Sequence, residues 1–588
     1  MLDPRIYRAG WIGVLFAVIV VAFSFHGLPR ARTTSLSAQA FDGQAVVARA
    51  RALTAAAPAR RPGSAGDRAL AARVRTDLVG RHGFRVSTRR FAGRTVDGER
   101  ELETVLAVRP GFSEHRIVVV ADRSALRRGG APEATGTAAL LELGRVLAGR
   151  TVQRTLVLAS VSGGPGAPGL RDLAQHLGGP TDAVIVLGDL SGAPDRRPWV
   201  VPWANAPGRL APLGLRRTLR AALEAEAGAR PGEPGLLEQI ARLAFPMTLG
   251  GQGALLSEGV PSVLVSASGE RGPTGGQALD AARVEGLGRG VLRAVTALDG
   301  GGAIAAPARY LVWAGQVVPA WAVRLLCGAL FLPLLLGLVD GLARVSRRRG
   351  RPLMWLRWAA VGVVPGMLVV LGARAAGLLG LLDVTPGGAV GEGARSGPAM
   401  TAALVLVVLV LVGGWTLGRR LVLRLAAVRG DVGEEPGAGG AALAVAVGAG
   451  LVLWTVNPFA AALALPALHG WLWAVTPVVR PRRAIALALA VLGILPAVAI
   501  GVGYASAWGL APLELARSAV LALAGGAVGI LPALAWAALL GAWGSVLAVA
   551  TRRRSEVLAA PQSSESVRGP ASYAGPGSLG GTQSALRR

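Results

Sequence analysis

The chain contains no lysine: its 62 basic residues are all arginine, set against 34 acidic ones for a net charge of +28. Together with 83 glycines and abundant alanine, this bias reflects a GC-rich coding sequence. The arginines are spread along the chain and not gathered into an aromatic-laced patch, so a nucleic-acid partner is not expected. Cysteine occurs once, as Cys327 in an apolar segment, which excludes disulfides and cysteine-ligated metal. Histidine occurs five times, never in a ligand pattern. His26 borders an apolar segment, His82 sits in a helix-to-strand turn and His115 begins a strand. His176 lies on a helix and His469 inside a hydrophobic run.

Two phosphate or nucleophile motifs are missing in substance. Gly164-Pro165-Gly166-Ala167-Pro168-Gly169 has the form G-x-G-x-x-G, with Asp189 about 20 residues on. Its prolines remove backbone donors that a pyrophosphate would need. Pro62-Gly63-Ser64-Ala65-Gly66 is not a nucleophile elbow, since proline replaces the first glycine and no strand precedes it.

What the chain has is length and hydrophobicity. At 588 residues it exceeds one domain, and a mean hydropathy of +0.49 is too apolar for an ordinary soluble protein. Trp11–Phe25, preceded by Arg5 and Arg8, reads as a retained anchor within residues 1–34. Residues 35–306 read as an α/β domain. Residues 307–551 hold seven further apolar runs, about 319–342, 358–381, 399–417, 438–456, 459–479, 484–504 and 518–550. Each can supply the roughly 20 residues a bilayer needs. The last is too long for one straight crossing, and a break is expected near Gly525-Gly526. Arginine clusters at 347–349, 419–420, 480–483 and 552–554 fall on one side if every run crosses, which puts both termini inside and the α/β domain outside. Pro333, Pro365, Pro466 and Pro496 are expected to kink helices for packing. The tail 552–588, rich in Ser, Gly and Pro, reads as disordered.

Within the α/β domain, Ile117–Ala121 reads as a strand buried on both faces, followed by a polar loop and a helix opening near Thr135. Further strands are expected up to Phe91, over Thr104–Val108, Thr155–Ser160 and Ala183–Leu187, and after Gly259-Val260-Pro261. Helices are expected over Asp67–Gly80, Leu170–Leu177, Arg216–Ala227, Leu236–Leu243 and Ala278–Leu298. The small residues Ala134 to Thr137 would let the helix start lie close to the sheet. Ligands of such sheets bind beyond the strands' carboxyl ends.

This order of motifs resembles the zinc exopeptidases of metallopeptidase family 28. The likeness is carried by Arg61-Pro62-Gly63-Ser64-Ala65-Gly66, by Ala134-Thr135-Gly136-Thr137-Ala138-Ala139-Leu140-Leu141-Glu142-Leu143 and by Gly259-Val260-Pro261. It implies an α/β mixed sheet flanked by helices, here joined to an all-α transmembrane bundle. The order of anchor, peptidase-like domain and bundle is similar to that of the peptidase-like subunit of GPI transamidase. The family's chemistry is largely replaced. Asp122 stands where the first zinc-ligand histidine belongs, Ser124 where an aspartate follows, and Pro132 or Glu133 where a bridging carboxylate belongs. Ser162-Gly163-Gly164-Pro165-Gly166 replaces the general-base loop, and Gln252 the final histidine; Asp189 alone keeps its type.

The resemblance therefore implies a pseudoenzyme. Its relict cleft would comprise Asp122, Ser124, Glu133, Gly164, Pro165, Asp189 and Gln252, with no catalytic residue and no cofactor. Arg123, Arg127 and Arg128 are near enough in sequence to pair with the acids. The alternative is an altered exopeptidase site in which Asp122, Glu133 and Asp189 converge on a cation, zinc entering only then. Expected partners are the bilayer and a peptide, lipid-linked or protein ligand outside it.

Overall fold

The computed structural model describes residues 4–551 apart from 127–129, 165, 193–196, 274–276, 348–351, 383, 385–397, 426–431, 433–434, 436 and 476–482. Arg127, Arg128, Pro165 and the tail expected to be disordered lie outside the described residues.

Helix α1 (Pro4–Phe23) and strand β1 (His26–Gly27) lead into α2 (Gly43–Ala56) and α3 (Ala65–Val79). The chain continues with β2 (Arg85–Thr95), β3 (Gly98–Arg109), β4 (Ser113–Asp122), α4 (Thr135–Leu147) and β5 (Arg154–Val161). Then come α5 (Pro168–Gln175), β6 (Thr181–Leu187), β7 (Trp199–Val201), α6 (Leu213–Ala227), α7 (Leu236–Ala244), α8 (Gln252–Ser257), β8 (Ser262–Ser266) and α9 (Ala281–Asp299).

Seven of these strands form one mixed sheet in the order β2-β3-β5-β4-β6-β8-β7. Its centre, β5-β4-β6-β8, is parallel, and antiparallel strands close both edges. The unbroken apolar run of β4 follows from burial on both faces. Ile117, Val119 and Ala121 face a core shared with α2, α3, α4 and α9, while Val118 and Val120 face a second core with α5. Helix α4 lies close against the sheet because Gly136 has no side chain; a Cβ there would stand 2.7 Å from the Gly188 carbonyl oxygen.

β2 and β3 run further than their apolar residues indicate. They pair from Arg85↔Val108 out to Thr95↔Gly98, and the outer half of this hairpin is largely polar and exposed, so hydrophobic alternation could not mark it. Helix α2 was also not expected. Its Ala- and Arg-rich sequence buries Val46, Val47, Ala50 and Leu53 on one face. His176 caps α5 and does not lie within it.

Beyond the sheet, β9 (Tyr310–Trp313) and β10 (Gln316–Pro319) join β1 in a small antiparallel sheet that ties the end of α1 to the start of α10 (Ala320–Arg347). The remaining helices are α11 (Pro352–Val361), α12 (Val364–Leu378), α13 (Pro398–Gly413), α14 (Arg419–Leu425), α15 (Ala438–Val456) and α16 (Pro458–Val475), followed by α17 (Arg483–Val491), α18 (Leu495–Trp508), α19 (Pro512–Gly525) and α20 (Ile530–Thr551). Among the described residues seven helical segments are long and apolar enough to cross a membrane, and eight if α11 and α12, bent by 44°, count as one. The chain is a multipass membrane protein.

The long last run divides as its glycines suggest: α19 stops at Gly526, whose φ is +85°, and α20 is the crossing segment. Pro365 and Pro496 stand at the first turns of α12 and α18, where a missing N–H leaves no helical bond unmade, while Pro333 and Pro466 lie inside helices.

Candidate functional site

The carboxyl ends of β4, β6 and β8 open onto a cleft of about 250 Å3. Asp122, Ser124, Glu133, Gly164 and Asp189 all line it, opposite an apolar wall that includes Leu170, Val186 and Leu264. Gln252 does not line the cleft; its neighbours Gly250 and Gly251 do.

Two of the parallel strands, β4 and β6, end in a turn held by an aspartate. At the end of β4, Asp122 Oδ1 accepts from the Ser124 amide at 2.9 Å and from the Ser124 hydroxyl at 2.7 Å, while its Oδ2 accepts from the Gly164 amide at 2.9 Å. A carboxylate bonded to the residue two ahead is the ordinary reason for Asp at such a turn. Burial pushes the Asp122 carboxyl up; the Ser124 and Gly164 bonds oppose that, and the charge of Asp67 adds to it.

Beyond β6, Asp189 repeats the turn with Ser191, whose amide and hydroxyl donate at 2.8 and 2.7 Å. Four more donors reach it: Thr135 Oγ1 at 3.2 Å, the Gly192 amide at 3.1 Å, Gln277 Nε2 at 3.0 Å and the Ser268 hydroxyl. Asp189 is 4% exposed, and both oxygens are fully used. Two carboxylate oxygens offer about four lone-pair directions, and six donors already crowd them.

Glu133 faces the cleft from the turn before α4, with Arg60 Nη2 at 3.4 Å. Burial pulls the Arg60 guanidinium below its ordinary range against the charges of Glu133 and Asp122. Arg123 does not serve the cleft acids. It does not line the cleft but pairs with Asp67 of α3 at 2.9 Å, donating also to the carbonyls of Ser160 and Glu103. Ser162, just after β5, donates to Asp67 as well. Gln252 is wholly buried, and its Nε2 donates to the Trp203 carbonyl at 3.1 Å and Thr248 Oγ1 at 3.0 Å.

This donor set does not fit a zinc pair. Among the described residues no three His, Cys, Asp or Glu side chains gather to hold a metal ion. Zinc needs histidine or carboxylate lone pairs aimed inward; here Asp189 is saturated, and Gln252 is neither and does not line the cleft. The histidines are remote: His115 Nδ1 lies 2.8 Å from Asp182, His176 is beside Asp172, and His469 contacts Tyr7 and the Leu330 carbonyl.

Sequence reasoning missed the residues that join the cleft to the helical bundle. Glu270 and Arg271, in the loop after β8, line the cleft. Glu270 is paired with Arg242 of α7 at 2.6 Å, and both side chains are buried. Trp508 Nε1 of α18 donates to Glu270 at 3.0 Å, and the Arg242 guanidinium lies 4.7 Å from the ring centre of Tyr504 and 5.4 Å from that of Trp508. Arg271 donates to the carbonyls of Trp508 and Gly509, and Asn457 Nδ2 caps α7 at the carbonyls of Leu243 and Ala244. The available signal was the charged, glycine-flanked stretch Gly269-Glu270-Arg271-Gly272 after a core strand.

No known protein family and no curated protein matches the chain. Among solved structures it is similar to glutaminyl cyclase from Porphyromonas gingivalis, with 16% identity over 44% of this chain and 98% of that one, TM-score 0.32. It is similar to a Zn-dependent exopeptidase from Parabacteroides distasonis, with 15% identity over 44% and 98% of the two chains, TM-score 0.32. A third is the LapA aminopeptidase of Legionella pneumophila, with 14% identity over 44% and 73%, TM-score 0.35.

Proposed function

We propose that this is an integral membrane protein whose extracytoplasmic, zinc-peptidase-like domain has lost catalysis and acts in binding or scaffolding. The observation that carries this reading is Asp189, the one position where the family's ligand type persists, with both oxygens taken by donors of the chain itself. A metal there would have to displace several of these bonds. The cleft acids then serve recognition: a peptide, a lipid-linked compound or a protein segment would meet Asp122 and Glu133 on one side and the apolar wall on the other. The bundle anchors the domain, and the arginine clusters support cytoplasmic termini.

A second reading, an exopeptidase with an altered site, draws on the fact that Asp122, Glu133 and Asp189 do share one cleft. Elemental analysis of the purified full chain separates the two. We expect zinc far below one ion per chain and no chelator-sensitive release of amino acids from peptides. Stoichiometric zinc that disappears in an Asp189→Ala variant, or peptide cleavage abolished by a chelator and restored by zinc, overturns the binding role.

A further inference from the structure

Arg309 and Arg324 stand where the small sheet passes into the bundle. Arg309 precedes β9, whose Tyr310 is registered opposite Pro319 at the end of β10, and β10 runs directly into α10. Arg324 lies about one turn into that helix. Arg324 is exposed, and Arg309 is half-buried over Gly208, where a Cβ would meet its Nη2 at 2.7 Å. Among the described residues neither guanidinium makes an ion pair. Arg324 instead donates to the Thr455 carbonyl at the end of α15, and its own carbonyl accepts from Trp454 Nε1. Burial and the like charge of Arg324 both pull the Arg309 guanidinium down. Two neighbouring cations, neither with an ion pair among the described residues, leave a site for an anion.

The surroundings indicate which anion. Trp313 and Trp321 are 52% and 54% exposed on the same hairpin and helix start, Phe25 packs edge-on against Trp313 at 6.2 Å, and Phe23 ends α1 nearby with 88% exposure. Exposed tryptophans beside arginines at the ends of apolar helices are what the headgroup layer of a bilayer selects. On a surface bathed in water, such a cluster would promote aggregation.

We propose that Arg309 and Arg324 bind the phosphate of a phospholipid in the leaflet on the sheet domain's side of the membrane, with Trp313 and Trp321 seated among the headgroups around it. The bound lipid bridges β9 and α10, and so fixes the height of the large sheet above the bilayer. This site is independent of the cleft and holds whether or not the cleft binds metal.

Native mass spectrometry of the full chain in non-ionic detergent, titrated with phosphatidylglycerol, tests it. An arginine at an anionic lipid surface strengthens binding roughly fivefold, so the Arg309→Gln/Arg324→Gln variant should bind its tightest lipid about thirtyfold more weakly. Arg75→Gln, an exposed arginine on α3, should leave that affinity unchanged. Unaltered binding in the double variant overturns the site, as does an equal loss in Arg75→Gln or full displacement of the lipid by inorganic phosphate. If the double variant does not fold, Arg324→Gln alone, at an exposed position, carries the comparison.

Discussion

Asp122 and Asp189 close neighbouring parallel strands with the same Asp-x-Ser turn, each accepting from the amide and hydroxyl of the serine two residues on. They differ in what else arrives. Asp189 collects four further donors, whereas Asp122 has one, from Gly164, and burial raises its carboxyl. A carboxyl raised in the folded state destabilises the fold most fully above its folded pKa, and the penalty is relieved as pH falls through that value. Asp122→Asn keeps an oxygen for Ser124 and carries no charge. Wild type should therefore lose stability relative to Asp122→Asn as pH rises from about 4 towards neutrality. Thermal unfolding of both proteins across that range measures the difference, and a constant gap would contradict the argument. Asp122, Ser124, Gly164 and Asp189 could be placed at the cleft from the sequence, because each closely follows a strand end. Gln252 was expected there and does not line it, whereas Glu270 and Arg271 line it unexpected. The saturation of Asp189 could not be read from the sequence, since Ser268 and Gln277 reach it from across the fold.

Among the elements, the unit β4–loop–α4 shows how closely sequence and packing agree. Its small residues at the helix start indicate a near approach, and Gly136 makes that approach to the carbonyls of Leu187 and Gly188. Gly136→Ala places a Cβ within 2.8 Å of both carbonyl oxygens, so α4 must move off the sheet. Overpacking of this kind costs about 1–3 kcal/mol, which denaturant unfolding of the full chain would register as a lowered midpoint. A neutral result would mean that α4 slides freely on the sheet. The β2–β3 hairpin shows the opposite case. Its pairing continues past the apolar residues because backbone hydrogen bonds need no hydrophobic pattern once one end is anchored.

Across the whole molecule, the cleft loop and the bundle meet at Arg242 and Glu270, an ion pair enclosed by Trp203, Tyr504 and Trp508. Burial pulls the Arg242 guanidinium down, but Glu270 and Tyr504 hold it above its ordinary value. Arg242→Met would leave Glu270 buried without its counter-ion, a loss of about 3–5 kcal/mol; removing both charges in Arg242→Met/Glu270→Met should recover much of it. Thermal unfolding of the single and double variants distinguishes this coupling from simple lost packing, for which the two losses would add.

Composition and local pattern were enough to determine that this chain crosses a membrane many times, that an α/β sheet lies between the first apolar segment and the rest, and which residues stand near the ends of the central strands β4, β5 and β6. Hydrophobic runs and strand termini are properties of neighbouring residues, and neighbours are what a sequence records. Only the tertiary structure decided that Arg123 leaves the cleft for Asp67, that Asp189 has no lone pair to spare, and that Glu270 binds the cleft to α18. Each of these depends on groups far apart in the chain competing for the same few hydrogen-bond directions, a contest settled by where the packed elements bring them.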